Sequence, residues 1–218
     1  MNDEIIEIGK TICEIGERLY RFGHVVSNDG NISFRLDETR ILTTPTGVCK
    51  GDMNPESMVI VDLDGNTLGP GKASSELPMH LFIYQQRPDI QAVVHAHPVT
   101  ATACAASGIA LDQKVLPEII ATLGSIPLAP FGMPGTREVP ESLRPYLSRH
   151  DAVLLANHGV VTFGPDLWDA YFKMERVEHY ARILLASRSL GGEKDLTPEQ
   201  VKQLSQMRTG YGQGEPAT

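Results

Sequence analysis

Cysteine is scarce and badly spaced in this chain. Cys13, Cys49 and Cys104 are odd in number and far apart, and no Cys-x-x-Cys pair occurs. A disulfide framework and a cysteine metal clip are therefore excluded, and scattered thiols point to a reducing compartment. No apolar stretch approaches the roughly 18 residues a membrane-spanning helix needs. The opening Met1-Asn2-Asp3-Glu4 is acidic and runs into an amphipathic pattern, unlike a signal peptide. A cytoplasmic location is the expectation. A basic block is missing too: 19 Lys plus Arg stand against 27 Asp plus Glu, a formal net charge of −8. Such a chain has no broad positive field for nucleic acid or an anionic membrane. An anionic ligand must be held locally, by amide nests and hydroxyl groups without lysine or arginine.

What remains suits one folded α/β domain: 218 residues, of which 41% are apolar and 21% charged. Ile5, Ile8, Ile12, Ile15, Leu19 and Phe22 recur at three- and four-residue steps, which predicts an amphipathic helix over 4–22, stopped by Gly23. Ser27-Asn28-Asp29-Gly30-Asn31 is a run of small polar turn-formers. Ile32, Phe34 and Leu36 then alternate with polar residues and Ile41 to Thr44 runs back, a hairpin ending in Thr44-Pro45-Thr46-Gly47. Met58 to Leu63 reads as a strand and Ser74 to Gln86 as a helix with Glu76 in its first turn. Gln91 to His97 reads as a strand, 100–107 as a short helix, 126–130 as a short strand and 136–147 as helix. Asp151 to Ala156 is a buried strand that Val160 to Phe163 continues. Leu167 to Leu190 is the longest helix, with Leu167, Tyr171, Met174, Val177, Ala181, Leu184 and Leu185 as its stripe. A last helix spans 197–207, capped by Thr197, and the tail 208–218 is expected to be mobile unless a partner holds it. No repeat, low-complexity tract or domain linker interrupts the chain.

Three patterns carry chemistry. In Val93-Val94-His95-Ala96-His97-Pro98 the two histidines sit two apart, so on a strand both imidazoles leave one face. Two imidazoles on a rigid strand are half of a transition-metal site. His158, at the end of the second buried strand, completes a three-imidazole set if the two strands are neighbours; alone, it reads as a turn residue. Glu76 at a helix start is favoured by the helix dipole, and is also a candidate metal ligand or acid–base group. His80, one turn on, faces the same side and reads as packed or supporting. Finally, Gly30-Asn31, Thr46-Gly47 and Ser74-Ser75 each offer backbone N–H groups and short polar side chains, and together they make an anion pocket.

In order, Gly30-Asn31-Ile32-Ser33, Thr44-Pro45-Thr46-Gly47, Ser74-Ser75-Glu76, His95-Ala96-His97 and Asn157-His158-Gly159 resemble the class II aldolase/adducin family, most of all its sugar-phosphate aldolases of the L-fuculose-1-phosphate kind. The resemblance runs from about Ile5 to Tyr211. It implies a three-layer α/β/α single domain over 1–218 with a largely antiparallel central sheet, and a homotetramer with active sites between subunits. It implies that His95, His97 and His158 bind Zn²⁺, with Mn²⁺ or Co²⁺ also accepted by such ligands. Glu76 matches the catalytic glutamate, which can also ligate the metal, and Asn31, Thr46, Gly47, Ser74 and Ser75 match the phosphate pocket. Tyr211 resembles a tail tyrosine that reaches a neighbour's site. One place departs: a tyrosine that moves a proton is replaced, in the loop before Ile126-Pro127, by Glu118. Glu118 is either a substitute proton carrier or a solvated loop charge.

The implied reaction is cleavage of a ketose 1-phosphate to dihydroxyacetone phosphate and an aldehyde. Zinc stabilises an enediolate as a Lewis acid, the phosphate pocket orients the substrate, Glu76 moves the proton on carbon, and Tyr211 or Glu118 takes the hydroxyl proton. Relatives with the same site decarboxylate oxo-sugar-acid phosphates or dehydrate methylthioribulose phosphate, and adducin heads keep the fold as non-catalytic binding modules. The Glu118 substitution keeps the decarboxylase open, while Ser74-Ser75 favours the aldolase.

Overall fold

The computed structural model describes residues 3–207. Helix α1 (Asp3–Arg21) buries Ile5, Ile12, Ile15 and Leu19 and ends at Gly23, whose φ of +70° suits the left-handed stop. Strands β1 (Asn31–Arg35) and β2 (Arg40–Thr43) form the expected hairpin. Two 3-10 turns, Lys50–Asp52 and Pro55–Ser57, lead into β3 (Val59–Asp62). Then come α2 (Leu77–Gln86), β4 (Ala92–Ala96), α3 (Val99–Ala106), α4 (Pro117–Thr122), β5 (Leu128–Ala129) and α5 (Glu138–Leu143). Strands β6 (Ala152–Leu155) and β7 (Gly159–Gly164), α6 (Leu167–Ser189) and α7 (Pro198–Gln206) complete the described chain.

The seven strands form one sheet in the order β3-β2-β1-β4-β7-β6-β5, and every pairing is antiparallel except β5 with β6. Alternation along β4 makes the layers. Ala92, Val94 and Ala96 pack with α1, α3 and α6 in one core, while Val93 packs with α2 and α5 in the other. The protein is thus a mixed α/β fold with helices on both faces of a largely antiparallel sheet, as expected. Among the described residues no helix is long and apolar enough to cross a membrane.

Four local expectations change. Residues 160–163 do not continue β6. The chain reverses at Ala156–His158 and returns as β7, with Leu155 paired to Gly159. Asn157 makes the reversal at φ +56°, a left-handed conformation that asparagine tolerates better than most residues. Helix α2 begins at Leu77, so Glu76 sits just before it rather than in its first turn. Glu118 lies in the first turn of α4, not in a loop. Leu185 is exposed, and Tyr180 fills the buried stripe of α6 in its place. Thr197 caps α7 as expected, in a reciprocal capping box with Gln200.

Candidate metal centre

Strand parity sends His95 to the α2 side of the sheet with Val93, and His97 follows it one step past the strand end. His95 stands opposite Asn31 on β1 and Val161 on β7, and it is fully buried. The backbone N–H of His97 donates to the carbonyl of His24 (2.8 Å), which fixes the chain as it leaves the sheet. The β6–β7 reversal delivers His158 beside them, because β7 is the direct neighbour of β4. Gly159 permits this approach: a Cβ there would lie 2.6 Å from the Ala96 carbonyl oxygen and 2.6 Å from His97 Cδ2.

One ligand nitrogen from each of His95, His97 and His158 lies within 4.8 Å of the others. The Nε2 atoms of His95 and His97 are 3.1 Å apart. Nitrogens about 2.05 Å from a tetrahedral ion are separated by ~3.3 Å, so the spacing fits a shared cation. The opposite side of the His95 ring meets the Val160 carbonyl at 2.9 Å, which places the proton on Nδ1 and turns the Nε2 lone pair inward. His97 Nδ1 faces the Asp29 carboxylate at 3.4 Å, a carboxylate–histidine pairing of the sort that orients metal-bound imidazoles. His158 Nδ1 and Asn31 Oδ1 are buried without a protein partner, polar atoms of the kind a bound ligand or water would satisfy.

Glu76 closes the ring. Its carboxylate meets His158 Nε2 at 3.0 Å and His95 Nε2 at 3.2 Å, and it accepts from Asn31 Nδ2 at 3.0 Å. Asn31 Nδ2 also lies 3.3 Å from Ser74 Oγ, which ties β1 to the turn before α2. Burial pushes the Glu76 carboxyl up, but the charges and hydrogen bonds of His95 and His158 outweigh it and hold the group well below the usual carboxylate range. Burial likewise drives His95 down while Glu76 pulls it up further, for a net rise. Burial, then the positive charge on His95 and His158, leaves His97 at about 4. The centre therefore draws one positive charge beside Glu76, and a divalent cation is the natural carrier for three imidazoles and a carboxylate.

Asn31, Thr46, Gly47, Ser74, Ser75, Glu76, His97 and His158 line one cleft of ≈ 230 Å³, with His95 beneath its floor. The Thr46 loop reaches the serines because its N–H donates to the Lys72 carbonyl (2.9 Å) and Pro45 bridges Ala73. Larger surface clefts of ≈ 470 Å³ and ≈ 390 Å³ exist elsewhere and hold none of these groups. Glu118 is exposed on α4 and does not line the cleft, and Tyr211 lies outside the described residues. Two lining residues carry roles the sequence reading missed. Asp29 was visible only as a turn-former. Lys50 overturns the expectation of a pocket without lysine or arginine: it lines the cleft wall and is 2% exposed.

Comparison with known proteins agrees with this geometry. The family profile described as "Class II Aldolase and Adducin N-terminal domain" matches residues 10–185. A 3-oxo-tetronate 4-phosphate decarboxylase from Haemophilus influenzae is 36% identical over 202 residues, covering 88% of this chain and 93% of the relative. An L-fuculose phosphate aldolase from Methanococcus maripaludis is 39% identical over 175 residues, covering 79% and 91%. The crystal structure of YgbL from Escherichia coli superposes with a TM-score of 0.87 at 28% identity, covering 93% of this chain and all of that one (100%). The chain belongs to the class II aldolase and adducin family. Decarboxylases and aldolases alike break a carbon–carbon bond, and the protein is a carbon–carbon lyase of that family, whose class II aldolases use a divalent metal.

Proposed function

We propose that the protein is a metal-dependent decarboxylase of a 3-oxo sugar-acid phosphate of the 3-oxo-tetronate 4-phosphate type. The acid–base inventory of the cleft carries this reading. Among the described residues Glu76 is the carboxylate against the triad, Asp29 is engaged with His97, and no tyrosine lines the wall. Retro-aldol cleavage needs two proton transfers, one from the hydroxyl at the breaking bond and one to the carbon left behind. Loss of CO₂ from a 3-oxo acid needs only the second. The relatives named as 3-oxo-tetronate 4-phosphate decarboxylases support the same reading.

Thr46, Gly47, Ser74 and Ser75 hold the phosphate and set the 3-oxo group toward the imidazoles. As C1–C2 breaks, its electron pair moves to C2 and into the 3-oxo group, giving an enediolate across C2 and C3. When bound at the triad, Zn²⁺, or Mn²⁺ or Co²⁺ in its place, supplies Lewis-acid stabilisation of negative charge on oxygen. Glu76, ionised at rest, takes a proton from a solvent water and passes it to C2, with Asn31 holding its carboxylate. The products are CO₂ and dihydroxyacetone phosphate.

A ketose 1-phosphate aldolase is the second reading, supported by the 39%-identical fuculose phosphate aldolase. It shares the enediolate and differs in what leaves. It needs a second proton carrier, and a homotetramer in which Glu118 or Tyr211 reaches a neighbour's cleft would provide one. The test measures CO₂ and dihydroxyacetone phosphate from 3-oxo-tetronate 4-phosphate and from L-fuculose 1-phosphate. We expect one CO₂ per triose phosphate from the oxo acid, loss on chelation, recovery with zinc, and a ~10²–10⁴-fold lower rate in a metal-replete Glu76→Gln variant. Faster release of triose phosphate from the ketose would overturn the decarboxylase in favour of the aldolase.

A further inference from the structure

Lys50 is a buried ammonium on the wall of the cleft. It forms no ion pair with any described residue. Its Nζ donates to the Asn28 carbonyl (3.0 Å) and the Val48 carbonyl (2.6 Å), one from each of the two loops that flank the cleft. An ammonium has three donors, so one is left over. The lysine is also fixed from behind. A Cβ on Gly16 of α1 would lie 2.5 Å from the Lys50 carbonyl oxygen, so the helix backbone packs directly on the turn that carries it. Asp29 contributes negative charge nearby, yet its carboxylate is directed at His97.

An ammonium taken from water without a counter-ion is costly, and burial lowers its proton affinity here. A dianion in the cleft would offset that cost. Apart from the Asp29 and Glu76 carboxylates and the two imidazoles beside them, the wall offers neutral donors: Thr46, Gly47, Ser74 and Ser75. We propose that Lys50 binds the phosphoryl end of the substrate, clamping the Asn28 and Val48 loops while supplying the positive charge that the neutral donors lack. This rests on the reading of the cleft as a phosphate site and adds to it the one lysine or arginine that lines it among the described residues.

The test uses inorganic phosphate as probe on the full-length, metal-loaded protein, with binding measured by calorimetry. Turnover is followed in parallel. Lys50→Met keeps the stem and removes the charge; Lys50→Arg keeps the charge. We expect Lys50→Met to weaken phosphate binding about 10-fold or more and to raise KM by a similar factor, with kcat within about 3-fold and metal content unchanged. Lys50→Arg should recover part of the loss. If Lys50→Met does not fold, Lys50→Gln replaces it with the same readouts. Equal phosphate affinity in wild type and variants would overturn the role of Lys50 alone. A wild-type protein that binds no phosphate would overturn the phosphate site and Lys50 together. A Lys50→Met protein that loses kcat or metal while keeping phosphate affinity would also overturn it.

Discussion

Gly159 and His97 are packed so closely that any side chain on the first must displace the second. A Cβ at Gly159 would sit 2.6 Å from His97 Cδ2, and the other near atom is the Ala96 carbonyl oxygen, which belongs to the sheet backbone and cannot swing away. Gly159→Ala is therefore expected to push the imidazole off the shared centre. Metal affinity should fall roughly 10–100-fold, read by competition with a chelator. Stability should drop by about 1–3 kcal/mol, read by denaturant titration. Wild-type affinity in this variant would mean that the triad tolerates a wider spacing than its geometry implies.

Much of this centre is legible before folding, and the reason is periodicity. His95 and His97 are two apart on a strand, so their shared face follows from the backbone repeat alone. That His158 meets them is not periodic information. It depends on β7 lying beside β4, and nothing local to Ala156-Asn157-His158 states which strands are neighbours. The same three residues hid the reversal between β6 and β7, because Asn157 takes the left-handed turn position with no glycine or proline within the turn to announce it. Helix α4 has 6 residues, too few to establish a 3.6-residue pattern. Lys50 was invisible for another reason: in a loop of threonine, glycine and proline it reads as a solvated charge. Its burial comes from Gly16, 34 positions earlier, admitting the backbone of its turn.

Asp29 supplies a milder test of the same centre. Its carboxylate is 3.4 Å from His97 Nδ1, and it is 44% exposed, so it orients the ring more than it stabilises the fold. Asp29→Asn should lower metal affinity by ~10-fold with a change in folding stability within about 0.5 kcal/mol. Isothermal titration with Zn²⁺ beside a thermal melt separates the two effects. A large loss of stability with unchanged zinc affinity would reverse the assignment.

His80 gives a pH dependence with a defined sign. It is 1% exposed, and its Nδ1 lies 2.6 Å from Ser33 Oγ. Burial, followed by the charge on His95, drives it down from 6.5 to about 3. In the unfolded chain it titrates near 6.5, so between pH 6.5 and 3 the unfolded state holds more protons. Its contribution is fully present above pH 6.5 and is lost as the pH falls toward 3, at up to ~1.4 kcal/mol per pH unit. His80→Asn removes the titration while keeping polar atoms for Ser33. Its stability, measured in urea on chelated protein, should be less favourable than wild type at pH 7, and the gap should narrow on acidification. Parallel curves for the two proteins from pH 7 to 4.5 would refute the assignment.

The segment after the histidine strand is held by a residue of a different helix, and that makes the centre sensitive to a distant substitution. Pro98 precedes α3 and offers no side-chain cap. In its place Glu178 of α6, 2% exposed, accepts from the backbone N–H of Thr100 (3.0 Å) and of Ala101 (2.9 Å), so a buried carboxylate meets the positive end of α3. Arg182 Nε donates to the same carboxylate at 2.7 Å from a largely exposed position and screens it only in part. Glu178→Ala strands one buried and one half-buried N–H group and should cost about 2–4 kcal/mol. Glu178→Gln keeps one acceptor and should cost less, ~1–2 kcal/mol. Thr100 lies three residues beyond His97, so loosening the start of α3 also loosens the imidazole. Both variants should release zinc faster than wild type, in the same order as their loss of stability. Zinc dissociation followed with a colorimetric chelator tests this directly, and an unaltered rate in a destabilised Glu178→Ala protein would uncouple α3 from the metal centre.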